Sequence, residues 1–358
     1  MNLSALQVLV CPFCREALEV HARHCVEGEV LDGLLVCAGC EAEFPVRQGV
    51  PRFVAEGDYA SSFGYQWNRF RAVQLDSCNG RDESERSFHT TTGWSDEELK
   101  GKLVLDAGVG AGRYAEVVAK KGGEVFGVDL TEAVDAAYLS IGGRAGVHLA
   151  QADLFALPFR DQCFDFVYSI GVLHHTPDPR AAFARLAAAV RPGGRLAIYV
   201  YPHPGLARHF PDLIRRITTR LPLRLMFLLS SLAVPLFHLY RLPGIGKVLH
   251  LLCPISMHPD WRTRWLDTFD WYTPRYQWKL RYPEVFRWFR ENGFSDIELL
   301  DEPIRVRGVR TPGIPAHAPG ESRAPSKRRQ GPVAVGSSSS MPLRETPVHQ
   351  GQMGAQGT

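Results

Sequence analysis

Four cysteines and a spaced series of acids, glycines and histidines carry the chemistry available to this 358-residue chain. Cys11-Pro-Phe-Cys14 and Cys37-Ala-Gly-Cys40 are two thiol pairs separated by 22 residues. Four thiolates at such spacing suit a tetrahedral zinc site, and a shell closed by four cysteines is structural rather than catalytic. Further along, Asp106-Ala-Gly108-Val-Gly110-Ala-Gly112 sets an acid before three glycines. Glycines leave no Cβ to keep a ligand from the backbone. The acid suits a ligand with an ammonium group and repels a pyrophosphate. A dinucleotide fingerprint would need glycine where this chain has Arg113. Asp129 ends the next apolar run, 23 residues past Asp106. An acid there accepts hydrogen bonds from both hydroxyls of a ribose, a surface carboxylate being the plainer reading. His174 and His175 are candidate proton acceptors near neutral pH, with packing at a helix start as the alternative.

Positioning these residues takes a doubly wound sheet. Apolar runs predict strands over Val104–Ala107, Glu124–Asp129, Val147–Gln151 and Phe166–Gly171, and a fifth ending near Tyr201. A helix follows the glycines from Tyr114 to Lys121. An amphipathic helix over Pro283–Phe294, with Gly293 as its terminator, precedes closing strands at Ser295–Asp301 and Ile304–Val309. Residues 1–56 form a separate ribbon-like unit with alternation over Leu31–Val36. So short a unit has little core, so metal would supply much of its folding energy, and the rest is expected to stand without it. Residues 57–100 read as a linker with a helix over Trp67–Leu75, where Tyr65, Gln66 and Trp67 are candidates to cap a pocket. The sheet is interrupted by an insertion at 205–260, and Asp270, Tyr272 and Arg275 follow as possible acceptor contacts.

The glycine segment resembles the first motif of class I S-adenosylmethionine (SAM) methyltransferases. Ser169-Ile-Gly-Val-Leu-His-His-Thr-Pro-Asp-Pro179 and Arg191-Pro-Gly-Gly-Arg-Leu-Ala-Ile-Tyr-Val200 resemble later motifs of the ubiquinone-methyltransferase-like, type 11 group. The resemblance implies an α/β fold: a Rossmann-like seven-stranded methyltransferase sheet with helices on both faces, over residues 101–309. It implies SAM contacts at Asp106, Gly108, Gly110, Gly112, Asp129, Leu130, Asp153, Leu154, Ser169 and Gly171, with Asp153 near the adenine amine. It places His174, His175 and Tyr201 where a base would stand, if an oxygen or amine acceptor needs one. The N-terminal segment resembles the zinc-ribbon partner subunit of tRNA and protein methyltransferases, here fused to the catalytic unit. The implied activity is methyl transfer from SAM to an oxygen, nitrogen or carbon of an unidentified small-molecule, sugar or lipid-linked acceptor. An RNA methyltransferase gripping its substrate with the ribbon and a SAM-binding scaffold without turnover are the rivals.

Charge bears on the partners. The formal excess of +3 lies entirely beyond Arg310, where five basic residues meet two acids, so residues 1–310 balance. That balance weighs against nucleic acid. The aromatic-free stretch 310–358, dense in Pro, Gly and Ser, reads as a disordered tail. The start, Met-Asn-Leu-Ser-Ala-Leu, lacks the basic and long apolar regions of a signal peptide. With paired cysteines it points to the cytoplasm. Residues 205–250 carry seven basic residues against Asp212 beside the uncharged 13-residue run Leu225–Phe237. The run alone is too short to span a bilayer. A soluble helical lid is the leading expectation, and peripheral membrane contact through 205–250 the other.

Overall fold

The computed structural model describes residues 1–54, 59–203, 210–300 and 304–313. The expected disordered tail beyond Gly313 and the first residues of the insertion lie outside them. Two sheets organise what is described. The smaller is antiparallel in the order β1 (Leu18–Val26), β2 (Glu29–Cys37), β3 (Glu43–Arg47), β4 (Val50–Pro51). Only Leu31–Val36 announces strand in this unit by alternation; β1 forms because it pairs with β2 along its length.

The larger sheet uses β5 (Leu103–Ala107), β6 (Glu124–Asp129), β7 (Val147–Gln151), β8 (Phe164–Ile170), β9 (Val190–Tyr199), β10 (Phe294–Leu300) and β11 (Arg305–Arg310). Their spatial order is β10-β11-β9-β8-β5-β6-β7. The first five pair in parallel, and β11 returns antiparallel to β9 and β10. All seven expected strands exist, with ends displaced by a residue or two, and β6 and β7 match in full. The order reverses between β5 and β8, and ligands of open α/β sheets bind beyond the strand ends at such a point.

Four helices fill the expected linker: α1 (Ser61–Phe70), α2 (Asp76–Asn79), α3 (Glu83–Thr92) and α4 (Asp96–Leu99). The helix expected over Trp67–Leu75 is therefore earlier in the chain. Burial of Ser62, Gln66 and Phe70 on one face of α1, with Gly64 against Thr131 and Glu132 on another, selects that register. Then come α5 (Arg113–Lys120), α6 (Ala133–Ile141) and α7 (Pro179–Ala189). Asp178 caps α7 by accepting from the Ala181 N–H at 3.0 Å, and Pro179 stands in its first turn, where no N–H is needed.

The insertion builds α8 (Phe210–Thr218), α9 (Leu223–Ser231), α10 (Ala233–Tyr240) and α11 (Ile245–Leu252) on α12 (Trp261–Tyr272), and α13 (Tyr282–Glu291) leads into β10. Pro235 falls in the first turn of α10, where no N–H is needed, and only Leu232 separates α9 from α10, so Leu223–Tyr240 is a nearly continuous helical stretch of 18 residues. That helix is long and apolar enough to cross a membrane by length and composition, which the 13-residue run was not.

Candidate functional site

Beyond β5 the chain turns through three left-handed glycines, Gly108 (φ 97°), Gly110 (φ 53°) and Gly112 (φ 92°). A Cβ on Gly108 would stand 2.3 Å from Val172 Cγ2, so the loop is closed to any larger residue there. A cavity of about 280 Å³ opens on this loop. Gly108, Gly110, Asp129, Leu130, Leu154 and Gly171 line it on the sheet side. Asp129 ends β6 with both oxygens engaged: Oδ2 accepts from the Gly110 N–H at 3.0 Å, and Oδ1 from the Thr131 N–H and hydroxyl at 2.9 and 2.8 Å. Burial raises its pKa while those donors oppose the rise. Oδ1 thus has both its acceptor sites filled, and Oδ2 retains a second one.

The remaining residues expected to contact the cofactor, Asp106, Gly112, Asp153 and Ser169, surround this cavity without lining it. Asp106 lies beneath the loop, 2% exposed, accepting from the Tyr168 hydroxyl at 2.8 Å. Burial pushes its pKa up to about 7. Gly112 starts α5 against Ile141. Asp153 caps a short 3-10 turn through the Phe155 N–H at 3.0 Å, and Ser169 donates to the Ala107 carbonyl at 2.9 Å.

The opposite wall comes from α1, the end of β9 and α12. Phe63, Gln66 and Trp67 supply the α1 side, whereas Tyr65 packs against Phe227 and Phe269. Tyr201, Asp270, Asp267 and Trp271 supply the rest, with His175 between. Asp270 is enclosed: the Gln66 amide and the Tyr201 hydroxyl each donate to it at 3.3 Å. Burial, with Asp267 adding repulsion, raises its pKa to about 6. Burial also raises Asp267, which accepts from Ser256 Oγ at 3.0 Å. Burial keeps the Tyr201 phenol protonated far beyond its ordinary range, so it donates and does not act as a base near neutral pH.

The histidines stand differently from their sequence reading. His174 is fully buried behind Tyr201, ring centroids 3.9 Å apart, and is absent from the cavity wall. Neither of its ring nitrogens has a hydrogen-bond partner among the described residues, and burial holds the ring neutral. His175 lines the cavity, with Nδ1 2.8 Å from the Tyr276 carbonyl, so that nitrogen carries the proton. Burial pulls its pKa down to about 3, which makes it a poor base at neutral pH. Of the aromatic stretch, Asp270 reaches the cavity, while Tyr272 and Arg275 do not line it. Asp267 escaped sequence reading, although its i,i+3 spacing from Asp270 puts both on one face of α12. A second cavity, of about 390 Å³, lies on the far side of Tyr201 and Trp271, with Arg215 and Lys279 in its wall.

The four cysteines of the ribbon converge, their sulfurs all within 4.8 Å of one another. Cys14 and Cys37 are 3.3 Å apart and Cys11 and Cys40 3.6 Å, close to the sulfur–sulfur distance of about 3.8 Å that tetrahedral Zn–S bonds give. Backbone N–H groups of Cys40 and Gly39 point at Cys37 Sγ and bring that thiol down to about 6. The set fits a structural zinc ion. Cys25 lies outside the cluster on β1. A second group of ligand types, Glu85, His89 and Asp96, is already bridged by the Lys121 ammonium, 2.5 Å from Glu85 and 2.7 Å from Asp96.

Comparison with known proteins fits both parts. Residues 105–198 match the family model described as methyltransferase domain, and residues 3–49 the one described as Trm112p-like protein. The chain is 39% identical over 109 residues to a ubiquinone biosynthesis O-methyltransferase of Aromatoleum aromaticum, covering 29% of this chain and 46% of that one. It is 37% identical over 117 residues to the probable tRNA methyltransferase 9B of Bos taurus, covering 32% and 24%. The chain thus spans less than half the length of these relatives. Among solved structures, magnesium protoporphyrin IX methyltransferase from Synechocystis aligns with a TM-score of 0.41 at 16% identity, covering 71% of this chain and 96% of that one. The stretch from β5 to β9 is thus similar to the methyltransferase domain family, and the N-terminal segment to the Trm112p-like family.

Proposed function

We propose that the chain is a SAM-dependent methyltransferase whose acceptor enters the cavity opposite the glycine loop. The observation that carries this is one cavity lined by the loop and Asp129 on one side and by Tyr201, Asp267 and Asp270 on the other. Asp129 and the backbone of Gly108–Ala111 would hold the ribose and amino-acid end of SAM, with Leu130 and Leu154 against its apolar parts. Bound SAM supplies an electrophilic methyl on a sulfonium, so the chain's own work is alignment and exclusion of water. Trp67 and Phe63 close one side against solvent. Asp270 is the group able to take a proton from an oxygen or amine acceptor, with Tyr201 fixing its orientation. The test is calorimetry with SAM and its demethylated product, followed by labelled-methyl transfer to candidate acceptors. Binding of both near micromolar strength is expected, and absence of heat or thermal shift with either would overturn the assignment.

A second reading is supported by the similarity to tRNA methyltransferase 9B together with the Trm112p-like segment. In that reading the acceptor is a base of an RNA. The neutral balance of residues 1–310 disfavours a nonspecific grip on phosphates. Bulk tRNA offered with labelled SAM decides: nuclease-sensitive label would replace the small-molecule reading, and unlabelled tRNA would retire the RNA one.

A further inference from the structure

The helices of the insertion present an apolar face that the rest of the chain leaves uncovered. Along α9 and α10, Leu225, Leu228, Leu229, Leu232, Leu236 and Leu239 recur at steps of three and four and are all exposed, Leu228 by 65%. The inner side of the same helices is apolar too and fixed to the domain. Met226 packs with Phe269 and Tyr272, the Trp265 indole donates to the Phe227 carbonyl at 2.8 Å, and Ala233 and Tyr240 are buried. A helix facing water outward carries polar residues there; one apolar all round is covered by something. The neighbours continue the pattern. α11, packed against α8 and α10, exposes Ile245, Val248 and Leu251, and α8 exposes Leu213 and Ile217, the latter by 64%. The outer side of the insertion is thus apolar as well as basic.

The charge beside that face has one sign. Arg216, Arg220, Arg224, Arg241 and Lys247 are exposed, and none makes an ion pair with a carboxylate among the described residues. Asp212 is the single acid between residues 210 and 252. Arg215, by contrast, is buried, with its guanidinium donating to the carbonyls of Trp271 and Pro274, both at 2.7 Å. Unpaired cations around an exposed leucine face match an anionic bilayer surface: lipid phosphates meet the arginines while the leucines enter the acyl boundary. Spanning is opposed by the inner face, since crossing would strip Met226, Ala233 and Tyr240 from their packing on the domain. That packing leaves only the outer face of α9 and α10 for a bilayer.

We propose that α8 to α11 dock the chain on the surface of an anionic membrane, independently of whether its cavity binds SAM. The test uses the full chain and sedimentation with vesicles of phosphatidylcholine, with or without about a third phosphatidylserine. The wild type is expected to sediment with the anionic vesicles at low salt and to be released at high salt. Arg216→Glu, Arg220→Glu and Arg224→Glu together should weaken that partitioning about a hundred-fold. Leu228→Ser with Leu232→Ser should weaken it with every charge retained, and an unchanged thermal melt shows that the variants fold. Wild type remaining in solution with anionic vesicles at low salt would overturn the proposal. So would a charge-reversed variant that binds as well, or a self-association that the leucine variant disperses without any vesicle binding, which assigns the face to a second copy. SAM calorimetry on the same preparations reads the cavity separately, so either reading can fail alone.

Discussion

Asp270 shows how a buried carboxylate acquires a working pH. Held near 6 by burial and by Asp267, it is ionised at neutral pH yet basic enough to accept a proton. Methyl transfer to an oxygen or amine acceptor should rise with pH and reach half its plateau near 6. Asp270→Asn should lower kcat by about 10²- to 10⁴-fold and flatten that rise, with SAM affinity unchanged. The unpartnered Gln66 Oε1 offers the new amide a partner, so the variant should fold. The sign on stability is opposite. In the unfolded chain this group ionises near 3.8, so the unfolded state loses its proton first. Its contribution to stability therefore falls as pH rises from about 4 to about 6, and Asn removes that fall from a melt series. On the sheet side, Asp129→Ala should cost roughly 1–3 kcal/mol of SAM binding, read by calorimetry. The glycines and Asp129 were legible in sequence because a strand end and a turn declare themselves locally. The roles around Asp270 were not, because pKa is set by enclosure between α1 and α12. The same enclosure leaves His174 and His175 neutral, where the sequence shows only two imidazoles near a strand end.

At the scale of elements, continuous apolar runs located the central strands because β5 to β8 are buried on both faces of the sheet. Helices of the linker and insertion were less legible, since their apolar positions answer to partners distant in sequence. α1 takes its register from α6 and α12, which sequence distance hides. The ribbon is the opposite case: its two Cys-x-x-Cys turns are local, and the pairing of β1 with β2 brings them together. Elemental analysis should give one zinc per chain. Cys11→Ser with Cys37→Ser should abolish it, and retention of zinc in that variant would place the metal elsewhere.

Ribbon and methyltransferase domain share one core, and this changes what zinc loss does to the whole molecule. Met1, Ala5 and Leu9 of the first segment are buried in the same cluster as Leu105, Phe126, Leu154 and Phe159 of the large sheet and its loops. Backbone hydrogen bonds cross between them: Val10 N–H to the Pro158 carbonyl, Arg160 N–H to the Val8 carbonyl, and Phe53 N–H to the Gln151 carbonyl, at 2.8 to 2.9 Å. Arg15 adds a bond to the Leu157 carbonyl at 2.8 Å. The domain is therefore not the independent unit that the short, metal-dependent ribbon suggested. Opening the ribbon would bare Phe126 and Phe159, which face Met1, Ala5 and Leu9, and each such side chain is worth about 1.5–3 kcal/mol of burial. That is a large share of the typical margin of about 5–15 kcal/mol. Chelation should accordingly lower the melting temperature of the whole chain in a single transition, followed by calorimetry with and without a zinc chelator. SAM binding should weaken with it, because Asp153 and Leu154 follow directly from the strand whose Gln151 carries the Phe53 bond. Two separated transitions, with the later one and SAM affinity unmoved by chelator, would show instead that the shared core contributes little and that the large sheet holds its site alone.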